Sequence, residues 1–161
     1  MADVEILMGS KSDYDVMKKA GEVLDSFGIS WGIHVLSAHR NPEGASNFAK
    51  QAANNGVKVI IAGAGGAAHL PGVLSALTVL PVIGVPLRSA ISIDGWDSIL
   101  SILQMPSGIP VATVGLDASK NAGLLAVEII GSQDKSVQAK LLDYKAEMLK
   151  EQIAANASIQ K

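Results

Sequence analysis

The chain has 161 residues, 48% of them apolar, and a net charge of −2 at pH 7; it can bury one core and lacks the basic excess of a nucleic-acid binder. It has no cysteine, which excludes disulfides, thiolate chemistry and cysteine-based zinc sites. No run of about 18 uncharged apolar residues reads as a membrane span, because Pro71, Pro81, Pro86, Gly72 and Gly84 interrupt the apolar-rich stretch Leu70–Leu87.

Val4–Met8 is a short apolar run closed by Gly9, the pattern of a buried strand. Ser12, followed three residues on by Asp15, opens a helix as a variant capping box. Val16, Met17, Ala20, Val23, Leu24 and Phe27 give that helix its apolar face, and Gly28 stops it. Ile29–Val35 alternates as a second strand, in which His34 is structural. Asn41 and Pro42 then start a helix as N-cap and first-turn proline. Ala45, Phe48, Ala49 and Ala52 continue it to Gly56. Val57–Ala62 is a third strand, followed by a glycine-rich loop and a helix over Leu70–Thr78. Val82–Val85 is the fourth strand, Trp96–Gln104 a short helix capped by Asp94, and Val111–Val114 the fifth strand. Helices over Ala118–Ile130 and residues 134–156 complete the chain. The last has one broad stripe of Val137, Leu141, Leu142, Met148, Leu149 and Ile153.

Strands alternating with helices imply parallel pairing through right-handed crossovers. The expectation is one α/β domain over residues 1–161: a flavodoxin-like three-layer sandwich with a central parallel five-stranded sheet in the order 2-1-3-4-5 and a long C-terminal helix. Mean hydropathy of +0.32 exceeds what a small sphere hides and points to oligomerisation, with the last helix packing against another subunit or folding back on its own domain. The N-terminus shows no basic region leading into an apolar run, so no leader is expected and the cytoplasm is the default location.

Ligands of open parallel sheets bind beyond the carboxyl ends of the strands, near the reversal of strand order. The informative loops therefore follow strands one, two and three: Gly9–Asp13, Ser37–Arg40 and Ala62–His69. In the first, backbone amides at a helix start favour an anion. Ser10 adds a hydroxyl, Asp13 suits ribose hydroxyls, and Ser12 reads as a cap. In the second, Arg40 offers a planar fork for phosphate, and His39 is the natural acid–base group, with an ordinary pKa near neutrality. In the third, Gly63, Gly65 and Gly66 let backbone amides approach a ligand. His69 either lines the pocket or caps the next helix. The loop lacks the spacing of a dinucleotide fingerprint and the ending of a P-loop. Two histidines without an acidic cluster do not make a zinc site, so no metal is expected.

Together these loops resemble the class I N5-carboxyaminoimidazole ribonucleotide mutase family of purine biosynthesis. The resemblance rests on Met8-Gly9-Ser10-Lys11-Ser12-Asp13, Ser37-Ala38-His39-Arg40 and Ala62 to Gly72. It extends through Pro81–Pro86, Asp97–Pro106 and Asn121–Ala126, and covers roughly Val4 to Ile130. It implies that His39 is the general acid/base, that Ser37 and Arg40 hold the phosphate, and that Ser10 and Asp13 bind the nucleotide. It further implies that the Ala64-Gly65-Gly66 backbone, His69 and Leu70 surround the migrating carboxylate and the imidazole. A homo-octamer with no cofactor, nucleic-acid or membrane partner is also implied. The segment Ser89–Trp96 is one residue longer than the family pattern and Gly115–Lys120 is shorter; neither is expected to touch the site loops. The alternatives are a class II carboxylase acting on aminoimidazole ribonucleotide with carbon dioxide, and a non-catalytic nucleotide-binding module of the same fold.

Overall fold

The computed structural model describes residues 1–160. Its strands are β1 (Val4–Met8), β2 (Trp31–Val35), β3 (Val59–Gly65), β4 (Val82–Leu87) and β5 (Ala112–Thr113). Its helices are α1 (Tyr14–Phe27), α2 (Pro42–Ala52), α3 (Leu70–Ser75), α4 (Trp96–Leu103), α5 (Ser119–Gly131) and α6 (Lys135–Ile159). All strands pair in parallel in the order β2-β1-β3-β4-β5, the doubly wound arrangement that the alternating pattern predicts. Val4 faces Trp31 on one side and Val59 on the other, and Met8 faces Gly63.

Alternation along the central strands feeds two cores. Val4, Ile6 and Met8 of β1 join Val59, Ile61, Ile83 and Val85 beneath α1, α5 and the start of α6. Leu7, Ile60, Ala62 and Val82 point the other way, into the layer of α2, α3 and α4. Burying each such aliphatic side chain is worth about 1.5–3 kcal/mol. Small residues set the spacing between helices: a Cβ on Gly123 of α5 would lie 2.8 Å from the Ala20 carbonyl oxygen of α1.

Several boundaries shift for identifiable reasons. Ser12 does not open α1. Ser10 caps a short 3-10 turn, Lys11–Asp13, and its Oγ accepts from the Ser12 amide at 3.4 Å. Asp15 instead pairs with Lys18 at 2.8 Å. Gly28 does end α1, at φ 72°, in the left-handed region glycine favours. Asn41 Oδ1 accepts from the Gly44 amide at 2.9 Å, as an N-cap before proline should. The supposed glycine loop after the third strand is largely strand, since β3 runs through Gly65 opposite Leu87. Asp94 does not cap α4: Gly95 occupies that position at φ 87°, without a side-chain bond.

The stripe on α6 splits in two. Val137 is buried and Leu141 packs against the first core. Tyr144 meets Phe27 edge-on at 5.7 Å between ring centroids, and Lys140 Nζ donates to the Phe27 carbonyl at 2.7 Å. Leu142, Leu149 and Ile153 lie about a third of a turn further round the helix, and all three are exposed, as is Met148. The helix therefore folds back on its own domain along one edge and leaves a second apolar edge uncovered. Among the described residues no helix is long and apolar enough to cross a membrane.

Candidate active site at the carboxyl end of the sheet

Parallel strands place all their carboxyl ends on one edge of the sheet, so the loops after β1, β2, β3 and β4 share one rim. A cleft of about 360 Å³ opens there. Nine of the ten sequence-predicted site residues line it: Ser10, Asp13, Ser37, His39, Arg40, Ala64, Gly65, His69 and Leu70. Gly66 does not; it is buried at φ 61° and turns the chain out of β3.

Hydrogen bonds tie the three loops together. The Arg40 guanidinium donates to the Gly9 carbonyl, joining the ends of β2 and β1, and its remaining donors stay free for an anion. Ser37 Oγ accepts from the Arg40 amide at 3.2 Å, which leaves its own proton to offer. Ser12 Oγ lies 2.9 Å from Ser10 Oγ and 3.2 Å from Asp13 Oδ1 and shares its one hydrogen between these two acceptors. Ser10 is thus an acceptor within the loop, with its hydrogen available to a ligand. Burial raises the Asp13 carboxyl above its ordinary range; the bond from Ser12 and the charge of Arg40 oppose this, and Asp117 adds repulsion.

A further pairing joins loops two and three. His39 Nε2 and His69 Nδ1 are 2.7 Å apart, with the rings edge to face at 4.8 Å between centroids. One nitrogen carries the hydrogen and the other its lone pair. Both residues are exposed on the open side of the cleft. His69 therefore lines the cleft; although it precedes α3, its side chain makes no capping bond. His34 lies apart, 2.7 Å from the buried carboxylate of Glu5. Among the described residues no three His, Asp or Glu side chains cluster closely enough to hold a metal ion.

The cleft also includes residues that were not singled out. Gly9, Ser12, Ala38 and Ala67 belong to the predicted loops, but Ser89 and Ile91 come from the segment after β4. This corrects the expectation that Ser89–Trp96 stays clear of the site. The Gly115–Lys120 loop also reaches the rim, where Asp117 Oδ1 accepts from the Arg88 amide at 3.0 Å and its charge acts on Asp13. Restricting attention to the reversal point between β1 and β3 hid β4, whose carboxyl end lies on the same edge. Ser98 Oγ donates to the Leu87 carbonyl at 3.1 Å and anchors α4 under that end.

The chain is 56% identical over 145 residues to the N5-carboxyaminoimidazole ribonucleotide mutase of Pyrococcus horikoshii, spanning 90% of this chain and 81% of that protein. It is 50% identical over 151 residues to the N5-carboxyaminoimidazole ribonucleotide mutase of Thermotoga maritima, spanning 94% of this chain and 88% of that protein. The crystal structure of Treponema denticola PurE superimposes with a TM-score of 0.87 at 31% identity over 98% of each chain. Residues 3–151 match the family described as AIR carboxylase, and with the fold and the three site loops in agreement, this chain belongs to that family.

Proposed function

We propose that the chain is an isomerase that converts N5-carboxyaminoimidazole ribonucleotide to 4-carboxy-5-aminoimidazole ribonucleotide, with His39 as general acid and base. The observation that carries this reading is the 2.7 Å His39–His69 contact in a cleft whose other walls offer anion donors. The mutase names of relatives at 50–56% identity support the substrate.

Arg40, Ser37 and the amides of the β1 loop anchor the phosphate, and Asp13 takes the ribose hydroxyls. His39 protonates the exocyclic nitrogen, the N–C bond breaks, and carbon dioxide leaves its electron pair on nitrogen. Ring carbon four then attacks the carbon dioxide, and His39 takes back the proton that carbon four releases. One proton is lent and one returned, so no external acid, base or cofactor is consumed. Between the two steps the lent proton stays on the released amine, and the contact with His69 holds the His39 ring in place to receive the second. The Ala64–Gly66 backbone, His69 and Leu70 hold the carboxylate at both stations, keeping carbon dioxide at high effective concentration.

A single chain leaves His39 and His69 exposed, so ligand or neighbouring copies must complete the enclosure. Uncovered apolar side chains on α6 and α4, among them Leu149, Ile153, Trp96 and Leu103, support an assembly of copies, and we assign a cytoplasmic homo-octamer. The description of the matched family favours a second reading, carboxylation of aminoimidazole ribonucleotide by free carbon dioxide. An ultraviolet assay supplying each substrate separately distinguishes the two. Turnover of the N5-carboxy compound, with His39→Asn reducing it about 10²-fold or more while nucleotide binding persists, is the expected result. Near-normal turnover by His39→Asn would remove His39 from the mechanism, and turnover only with carbon dioxide would favour the carboxylase.

A further inference from the structure

One buried polar side-chain atom among the described residues lacks a hydrogen-bond partner, and it lies in the wall of the cleft: Ser89 Oγ. Leaving a buried hydroxyl unpaired is unfavourable, so its persistence beside a ligand cleft points to a partner that arrives with the ligand. The other polar side chains of the cleft each have a protein partner, Ser10 in Ser12, Ser37 in the Arg40 amide and His39 in His69, whereas Ser89 Oγ has none. The Ser89 carbonyl accepts from the Ser92 amide at 3.0 Å, which fixes the turn and leaves the side chain uncommitted.

Position narrows the identity of that partner. Ser89 stands beside the bare end of β3: a Cβ on Gly65 would lie 3.4 Å from Ser89 Oγ, and one on Gly66 would lie 3.8 Å from it. The phosphate donors come from the ends of β1 and β2, whereas Ser89 follows β4, on the far side of β3. A nucleotide laid across this rim puts its phosphate over β1 and β2 and its substituted base over β3 and β4.

We propose that Ser89 donates a hydrogen bond to the carboxylate of the bound aminoimidazole, and so distinguishes the carboxylated nucleotide from the bare one. This rests on the reading of the substrate given above. Turning the oxygen into the cleft takes a rotation about χ1, for which serine has three staggered wells.

The test is Ser89→Ala, measured by calorimetric titration with 4-carboxy-5-aminoimidazole ribonucleotide and, separately, with aminoimidazole ribonucleotide. The variant should bind the carboxylated nucleotide about tenfold more weakly, the size expected for a bond to a charged acceptor, and the bare nucleotide within about twofold of wild type. Its melting temperature should be unchanged or higher, because the variant removes an unpaired hydroxyl. Unchanged affinity for the carboxylated nucleotide overturns the proposal. Equal losses for both nucleotides with a lower melting temperature also overturn it, because they mark a packing role. These titrations are read independently of turnover, so failure of the wild type to isomerise its substrate would sink the proposed reaction without deciding the role of Ser89.

Discussion

Gly65→Ala places one methyl group where β3, β4 and the cleft meet. The new Cβ would stand 2.9 Å from the Leu87 carbonyl oxygen and 3.0 Å from Ser89 Cβ. Ordinary contact begins near 3.4 Å, so the ends of the two strands must part by about half an ångström. The obstructing atom is backbone, held in register opposite Gly65, and cannot swing aside as a side chain end would. Overpacking of this kind costs about 1–3 kcal/mol, and a domain of this size loses about 2–4 °C of melting temperature per kcal/mol. A fall of roughly 4–8 °C in a calorimetric melt is expected for the middle of that range. Turnover should fall further than stability accounts for, because the methyl disturbs the strand end assigned to the carboxylate. Gly9→Ala is the internal control: nothing lies within 4 Å of its Cβ and its φ is not in the left-handed region, so its melting temperature should hold or rise slightly. If Gly65→Ala melted within a degree of wild type at full activity, the close approach of β3 to β4 could not be what requires glycine there.

Asp13→Asn tests the raised carboxyl. A group whose folded pKa lies above its unfolded value contributes stability at low pH that is lost as pH rises through the folded value. The asparagine variant should therefore melt above wild type at pH 7, with the difference vanishing below the ordinary carboxylate range, while nucleotide affinity falls; a lower melt at pH 7 would refute the dominance of burial. Arg40→Lys keeps the charge but loses the fork that reaches the Gly9 carbonyl. KM should rise about tenfold with kcat little changed, the signature of lost uniform binding, and a fall confined to kcat would argue against a phosphate anchor. Asn41→Ala removes the cap on α2, costing about 1 kcal/mol and lowering the melt by roughly 2–4 °C, which thermal denaturation followed by circular dichroism would detect.

Period and punctuation carry local structure, and the sequence is legible at that level. The apolar run Val4–Met8 is β1 residue for residue, and Gly28 and the Asn41-Pro42 pair mark helix ends where chain geometry requires them. The rule that ligands meet parallel strands at their carboxyl ends picked out the three loops, and the family resemblance added Leu70; nine of the ten candidate residues named in this way line one cleft. Ser12 and Asp94 misled because a short polar side chain before a helix can cap the next turn or serve another loop, and sequence spacing does not distinguish these roles. The α6 apolar residues read as one stripe, but only packing shows that Val137 and Leu141 belong to this domain's core while Leu149 and Ile153 have no partner in the chain.

The sequence by itself determined the order of strands and helices, the cleft-forming loops and the residue types they carry, because each is written in neighbouring positions. Only the tertiary structure decided that His39 meets His69, that Arg40 reaches Gly9, and that Ser89 joins the cleft from the segment after β4, outside the three predicted site loops. These contacts span long stretches of chain and depend on strand register and the shared direction of parallel strands, which fix distances that no local pattern encodes.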